Sequence, residues 1–152
     1  MIFVKTETLS QSLQRDLLDA WNNEYPSVLH HNLTSFQQYI KSLVNLHHTI
    51  VIDEDNRFCA WYFDFDRDDE RQFGIIVHKK FQNKGLGKEL IAKAKLTNDH
   101  LSAWVVNSNA FAKKDGSPYI SPLNFYLQNG FSIEPTRWDS EKIKTVKITW
   151  HK

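Results

Sequence analysis

Gly85 and Gly87 stand two residues apart, where an apolar run ending at Val77 gives way to helical spacing. Lys79, Lys80, Lys84 and Lys88 surround them. The chain has only 5 glycines in 152 residues, so this placement asks for a physical reason. The first turn of a helix offers unpaired main-chain N–H groups and the positive end of its dipole, and both favour an anion. Without side chains at 85 and 87 a diphosphate can approach those groups closely, and Lys84 and Lys88 add charge beside it. A tight strand-to-helix turn with solvated lysines would use the same glycines. Two familiar phosphate motifs fail on spacing. A P-loop closing on Gly87-Lys88 would need glycine at 82 and Ser or Thr at 89, where Gln82 and Glu89 stand. A dinucleotide fingerprint beginning at Gly85 would need a third glycine at Leu90.

Other reactive residue types read as structural. His30-His31 and His47-His48 are adjacent pairs, and neighbours on a strand point to opposite faces, so neither pair alone makes a metal site. Cys59 is the only cysteine, which excludes an internal disulfide and a cysteine-rich zinc site. It alternates with Trp61 and Phe63 on one expected strand face, as a small core residue without a basic neighbour to activate it. Trp21, Trp61, Trp104 and Trp150 read as core anchors.

The elements that position the glycines follow from periodicity. Ile2 to Thr6 is a short strand. Thr8 and Gln11 have capping-box spacing ahead of Leu9, Leu13, Leu17 and Trp21, and Thr34 and Gln37 repeat it ahead of Phe36, Ile40, Leu43 and Val44. From Thr49 the period changes, and TIVID and RFCAWYFDF read as two strands joined by a turn. After DRDDE, the run QFGIIVH predicts a strand covered on both faces. The helix from the glycines buries Leu86, Leu90, Ile91 and Ala94, and LSAWVV is another two-sided strand. Ser121 and Pro122 are suited to the N-cap and N1 of a short helix, LNFYLQN, that ends at Gly130. FSIEPTRW and KIKTVKITW close the chain as strands. The order β-α-α-β-β-β-α-β-α-β-β predicts an α/β protein, a mixed sheet with helices on its faces, in a single domain over residues 1–152. A formal charge of +1 and 13% aromatic residues point to a packed globule without the basic excess of a nucleic-acid or membrane-surface binder. With no signal-peptide-like start and no run of transmembrane length, the expectation is a soluble cytoplasmic protein, monomer or homodimer.

Gln82-Asn83-Lys84-Gly85-Leu86-Gly87, directly after a strand ending in Val77, resembles the signature of the GNAT superfamily of N-acetyltransferases. Tyr126-Leu127-Gln128-Asn129-Gly130-Phe131 resembles that family's Tyr-x-x-x-Gly-Phe at the end of its last helix. The resemblance covers essentially the whole chain. It implies the acyl-CoA N-acyltransferase fold and transfer of an acetyl group from acetyl-CoA to a primary amine, small-molecule or protein. Transfer would be direct, with no metal and no covalent enzyme intermediate. Carried over by position, Ile75, Ile76 and Val77 supply strand backbone to the pantetheine arm. Gln82 belongs to the motif, and Asn83, Lys84, Gly85, Leu86, Gly87 and Lys88 wrap the pyrophosphate. A main-chain N–H near Val77 would polarise the thioester carbonyl.

Tyr126 takes the position of the general acid, since a phenol of pKa about 10 can reprotonate a thiolate held beside it. Core packing is its structural alternative. The strand glutamate that some members use as a base is missing from Ser102 to Val106, which leaves Glu70, Asp64 and His78 as candidates. Members often carry Asn seven residues before the Tyr; here Tyr119 stands there, and Ser121 or Asn107 is the expected replacement contact to CoA. The long segment from Asn107 to Ile120 is expected to line the acceptor site. The acidic run from Asp64 to Glu70 suits either a cationic acceptor (polyamine, aminoglycoside or lysine) or a solvated hairpin turn. The missing glutamate also allows an acyl-CoA-binding regulatory module without turnover. A nucleotide-binding protein using the same helix start is a third reading.

Overall fold

The computed structural model describes residues 1–139 and 144–152; Lys142 and Ile143, where the last strand is expected to begin, lie outside that range. The order is β1 (Ile2–Thr6), α1 (Gln11–Glu24), α2 (Leu33–Ser42), β2 (Val44–Ile52), β3 (Phe58–Arg67), β4 (Glu70–Val77), α3 (Leu86–Thr97), β5 (His100–Val106), α4 (Leu123–Gln128), β6 (Ser132–Asp139) and β7 (Lys144–His151). One seven-stranded sheet runs β1-β2-β3-β4-β5-β7-β6. Only the central β4–β5 pair is parallel; every other pair is antiparallel.

Two cores lie on the two faces of this sheet, which is why β3 reads as an unbroken apolar run. Leu17, Ala20 and Trp21 of α1 and Phe36 of α2 pack with Ile50, Trp61, Phe63, Phe65 and Ile76 on one face. Leu86, Leu90, Ile91 and Ala94 of α3 and Tyr126 of α4 pack with Tyr62, Phe73, Leu101, Val105 and Ile148 on the other. Each fully buried Leu or Ile contributes about 1.5–3 kcal/mol through removal from water.

Local chemistry departs from the expected boundaries in several places. Ser10, not Thr8, caps α1, accepting from the Leu13 N–H, while the Thr8 N–H is taken by Thr6. Asn32 and Ser35, not Thr34 and Gln37, form the capping box of α2. A short carboxamide in extended backbone competes better for the first free N–H groups than a Thr already inside the helix. Leu43 is the C-cap of α2, and Val44 opens β2. That strand starts five residues before Thr49 because it absorbs a bulge, with Asn45 at φ 51. A second irregularity, between Val51 and Ile52, takes Cys59 out of alternation. Cys59 therefore packs with Val51, Ala60 and Tyr62 rather than with Trp61 and Phe63. DRDDE shrinks to a tight turn on Asp68 and Asp69, at φ 55 and 58. The last helix is capped by Pro122 rather than Ser121, whose hydroxyl accepts instead from the Leu123 N–H.

His48 is 2% exposed and accepts a hydrogen bond from the Trp61 indole through Nδ1, at 3.0 Å. Burial pushes its pKa down from 6.5 to about 4, despite the opposing pull of Asp64. The unfolded chain binds this proton first as pH falls, so stability declines through the window from 6.5 toward 4. Between pH 7 and pH 5 this residue alone costs about 2 kcal/mol. Thermal denaturation should therefore lose less stability over that range in His48→Gln, which keeps an acceptor for Trp61, than in the wild type.

Candidate active site

The parallel strands β4 and β5 share one register pair, Gln72 with Ser102. They meet at one end only. Around that point Ser102 donates its hydroxyl proton to Glu70 Oε2 at 2.6 Å, Lys147 of β7 pairs with Glu70 Oε1, and the Arg71 N–H donates to His100 Nε2 at 2.9 Å. Beyond it, β4 from Phe73 to Val77 has no β5 partner, so strand edge is left free along the opening.

The turn after β4 provides the second feature. Asn83 at φ 61 and Gly85 at φ 83 reverse the chain into α3. Nothing lies within 4 Å of a Cβ built on Gly85, so backbone conformation rather than space calls for glycine there. A Cβ on Gly87 would meet Phe125 of α4 at 3.1 Å, so that glycine lets α4 come close. The main-chain N–H groups from Asn83 to Lys88 have no hydrogen-bond partner among the described residues. Glu89 is the first to bond back, to the Gly85 carbonyl. Six consecutive free donors beside exposed Lys84 and Lys88 make an electropositive turn, suited to a diphosphate. Gln82 turns inward instead: its Nε2 donates to the Val77 carbonyl and to Glu24, both at 2.8 Å.

A cavity of about 470 Å³ passes through the opening between β4 and β5. Ile75, Gly74, Val105 and Val106 form its sides, and residues from both faces of the sheet reach it. Tyr126 enters from α4, 7% exposed, its ring edge-on to Phe73 at 5.7 Å. Tyr25 and Tyr119 also line the cavity, and none of the three hydroxyls has a hydrogen-bond partner among the described residues. Burial raises the pKa of Tyr126, with a further push from Tyr119, and burial takes Tyr119 up to about 12. Both phenols stay protonated at neutral pH and have a free hydrogen to donate.

His31 lines the same cavity and was passed over in the sequence as half of a histidine pair. Its Nδ1 shares a hydrogen bond with the Ser35 hydroxyl at 3.0 Å, its ring stacks on Tyr39 at 5.6 Å, and Nε2 is unpartnered among the described residues. Burial lowers its pKa, so at neutral pH the ring is an uncharged proton acceptor. Only the fold brings the start of α2 over the opening, which local spacing could not reveal.

The other candidates occupy different ground. Asp64 is 7% exposed, accepts from the Tyr62 hydroxyl at 2.8 Å and pairs with Arg71. Asp66 pairs with the same guanidinium at 3.0 Å. Burial opposes ionisation of Glu70, but hydrogen bonds from Lys147 and Ser102 outweigh it and lower its pKa. Neither Asp64 nor Glu70 lines the cavity. His78 accepts from the Lys80 N–H at 3.2 Å and faces an outer groove of about 660 Å³. Trp104, expected as a core anchor, lines the cavity instead. Asn107 follows β5, its N–H donating to the Lys144 carbonyl, and the Ser121 N–H donates to Asn109 Oδ1 at 3.0 Å. Among the described residues no group of three His, Cys, Asp or Glu side chains could hold a metal ion, and no helix is long and apolar enough to cross a membrane.

The segment between β5 and α4 folds as a small hairpin, with Tyr119 bonded to Phe111 and Lys113 to Ser117 through the main chain. It is tied to α1 by Lys113–Glu24 at 3.0 Å, both largely buried, and to the β4 end by Lys79–Asp115 at 3.3 Å. Glu24→Ala leaves Lys113 and Gln82 without their shared acceptor. Trypsin cleavage at Lys113 or Lys114 should accelerate several-fold in native conditions, while an unchanged rate would show that the tie does not hold the hairpin.

Comparison with known proteins matches residues 45–133, more than half of the chain, to the acetyltransferase (GNAT) domain family. No curated relative matches the chain. Among solved structures, aminoglycoside 6'-N-acetyltransferase complexed with coenzyme A superposes with a TM-score of 0.72 at 10% identity, covering 99% of this chain and 97% of that one. A variant of spermidine N-acetyltransferase SpeG from Vibrio cholerae gives 0.68 at 16% identity, covering 99% and 95%. At such identities the likeness is one of fold.

Proposed function

The chain belongs to the GNAT acetyltransferase family and is an acetyl-CoA-dependent acetyltransferase; on that premise we propose that it transfers the acetyl group directly to the primary amine of a small molecule, in a ternary complex, with residues 1–152 acting as one domain. The observation that carries this reading is the parting of β4 from β5 beside six free N–H groups, with Tyr126 and His31 reaching one cavity.

Acetyl-CoA supplies the acetyl group as a thioester. The N–H groups from Asn83 to Lys88, with Lys84 and Lys88, hold the pyrophosphate, and the free β4 edge at Ile75, Ile76 and Val77 pairs with the pantetheine amides. A main-chain N–H near Val77 stabilises the oxygen that gains charge as the amine attacks. Ser121 or Asn107 makes the contact to CoA that Tyr119 does not.

Tyr126 gives its proton to the sulfur as the C–S bond breaks. The low polarity that raises the phenol also disfavours a thiolate beside it, so donor and acceptor shift together. His31 takes the proton that the nitrogen loses as the new C–N bond forms. Enclosure in an aromatic cavity lowers the amine's own pKa, which brings that transfer within reach of an imidazole. Asp64 and Glu70, bound to Arg71 and Lys147, hold the sheet in shape around these two groups.

Thiol release from acetyl-CoA in the presence of amines tests the assignment. Tyr126→Phe should lower kcat about a hundredfold or more while acetyl-CoA still binds by calorimetry; full activity in the variant would remove the acid. Lys84→Glu with Lys88→Glu should raise the KM for acetyl-CoA at least about tenfold, because each reversal places negative charge beside the diphosphate. His31 loses its acceptor capacity as pH falls through its depressed pKa. The acid limb of kcat/KM should therefore lie below pH 6.5 in the wild type and vanish in His31→Gln.

A further inference from the structure

Charge around the cavity is distributed against a polycationic acceptor. Among the described residues no Asp or Glu lines it, and the one formally charged lining residue is Arg67, at the end of β3. The carboxylates of the acidic run are held elsewhere: Asp64 and Asp66 by Arg71, and Glu70 by Lys147. Asp68 and Asp69 form the exposed turn and line an outer groove that Arg67 also borders, without an ion pair to it.

Arg67 is oriented without being neutralised. Its Nε and Nη2 both donate to Gln72 Oε1, at 2.9 and 2.6 Å, and its guanidinium lies over the Phe65 ring at 5.1 Å. Gln72 is 1% exposed and sits at the register pair where β4 and β5 meet. A buried neutral carboxamide thus aims the fork, and no ion pair to Arg67 exists among the described residues. Its Nη1 donors have no partner among the described residues. A planar cation held this way, without an ion pair among the described residues and shared between the cavity and the outer groove, matches a carboxylate in two-point contact. Behind it the walls are apolar and aromatic: Trp21, Tyr39, Phe63 and Phe65, with His31 stacked on Tyr39.

We propose that the acceptor is a primary amine carrying a carboxylate and an apolar body of aromatic size. The carboxylate rests on Arg67, the body lies among the rings, and the amine reaches toward His31 and Tyr126. This rests on the transferase reading above and narrows it. A polyamine or aminoglycoside would bring several ammonium groups to a site with one fixed guanidinium and, among the described residues, no carboxylate, where like charge raises the cost of entry.

The test is kcat/KM for matched pairs that differ only in the acid: phenylalanine against 2-phenylethylamine, and 4-(aminomethyl)benzoate against benzylamine, with spermidine and kanamycin as polycations. In at least one pair the acid should lead by about ten- to a hundredfold, the worth of one charge-assisted contact. Arg67→Met should bring that ratio close to one, Arg67→Lys should keep part of it, and Arg67→Glu should invert it. A purely structural role for Arg67 would not reverse a preference between two amines. Quenching of Trp21 fluorescence by the acids, measured with Trp21→Phe as control, gives a binding readout independent of turnover. Acetylation of bare amines or polycations in preference to the acids, or an acid preference that survives Arg67→Glu, overturns the proposed acceptor and leaves the transferase standing. No thiol release with any amine, despite acetyl-CoA binding, overturns both.

Discussion

The structure depends on a sheet that is joined at its middle by a single rung. Adjacent parallel strands normally stay in register along their length, because each unpaired main-chain group costs free energy away from water. Here β4 and β5 meet at Gln72 and Ser102 and then separate. The joint is reinforced by polar contacts at the same end, from Glu70 to Ser102 and Lys147 and from Arg71 to His100. Helix α3 and the side chains of α4 fill one side of the gap, and α1 and the start of α2 overlook the other. A free strand edge, a through-going cavity and two faces of access all follow from that divergence.

Electrostatics divides along the same plane. Carboxylates of the acidic run pair with Arg71 and Lys147 and strengthen the joint. The cavity itself holds neutral titratable groups, His31 and Tyr126, whose charged forms burial disfavours. The groups proposed to exchange protons are thereby separated from the ion pairs that tie the sheet together. Arg67 is the exception, a cation steered by an amide.

Much of this was legible in the chain. The element order, the apolar runs of β3 and β4 and the glycine turn followed from short-range spacing, and Tyr126 from the motif's resemblance to the family, since each is a local pattern. What escaped was set by partners far away in sequence. The caps at Ser10 and Asn32 were misplaced because several Ser, Thr and Asn residues compete at each helix start. The early start of β2 and the displacement of Cys59 arise from bulges, which break alternation only when a neighbouring strand is present. Glu70 and Asp64 were singled out as carboxylates near the opening, but nothing local announced Lys147 or Arg71 as their partners. His31 and Arg67 gave no motif at all. They acquire meaning from a cavity whose walls come from seven elements.

The one-rung joint also divides the chain by order of synthesis. Strands β1 to β4 are consecutive antiparallel neighbours within the first 77 residues, whereas β5, β7 and β6 make up the other half-sheet. A nascent chain leaving the ribosome can therefore complete the first half-sheet, with α1 and α2 packed on it, before the second has been translated. Until residue 100 and beyond emerge, the β4 edge is an open strand margin, and its protection in the cell falls to chaperones or to speed.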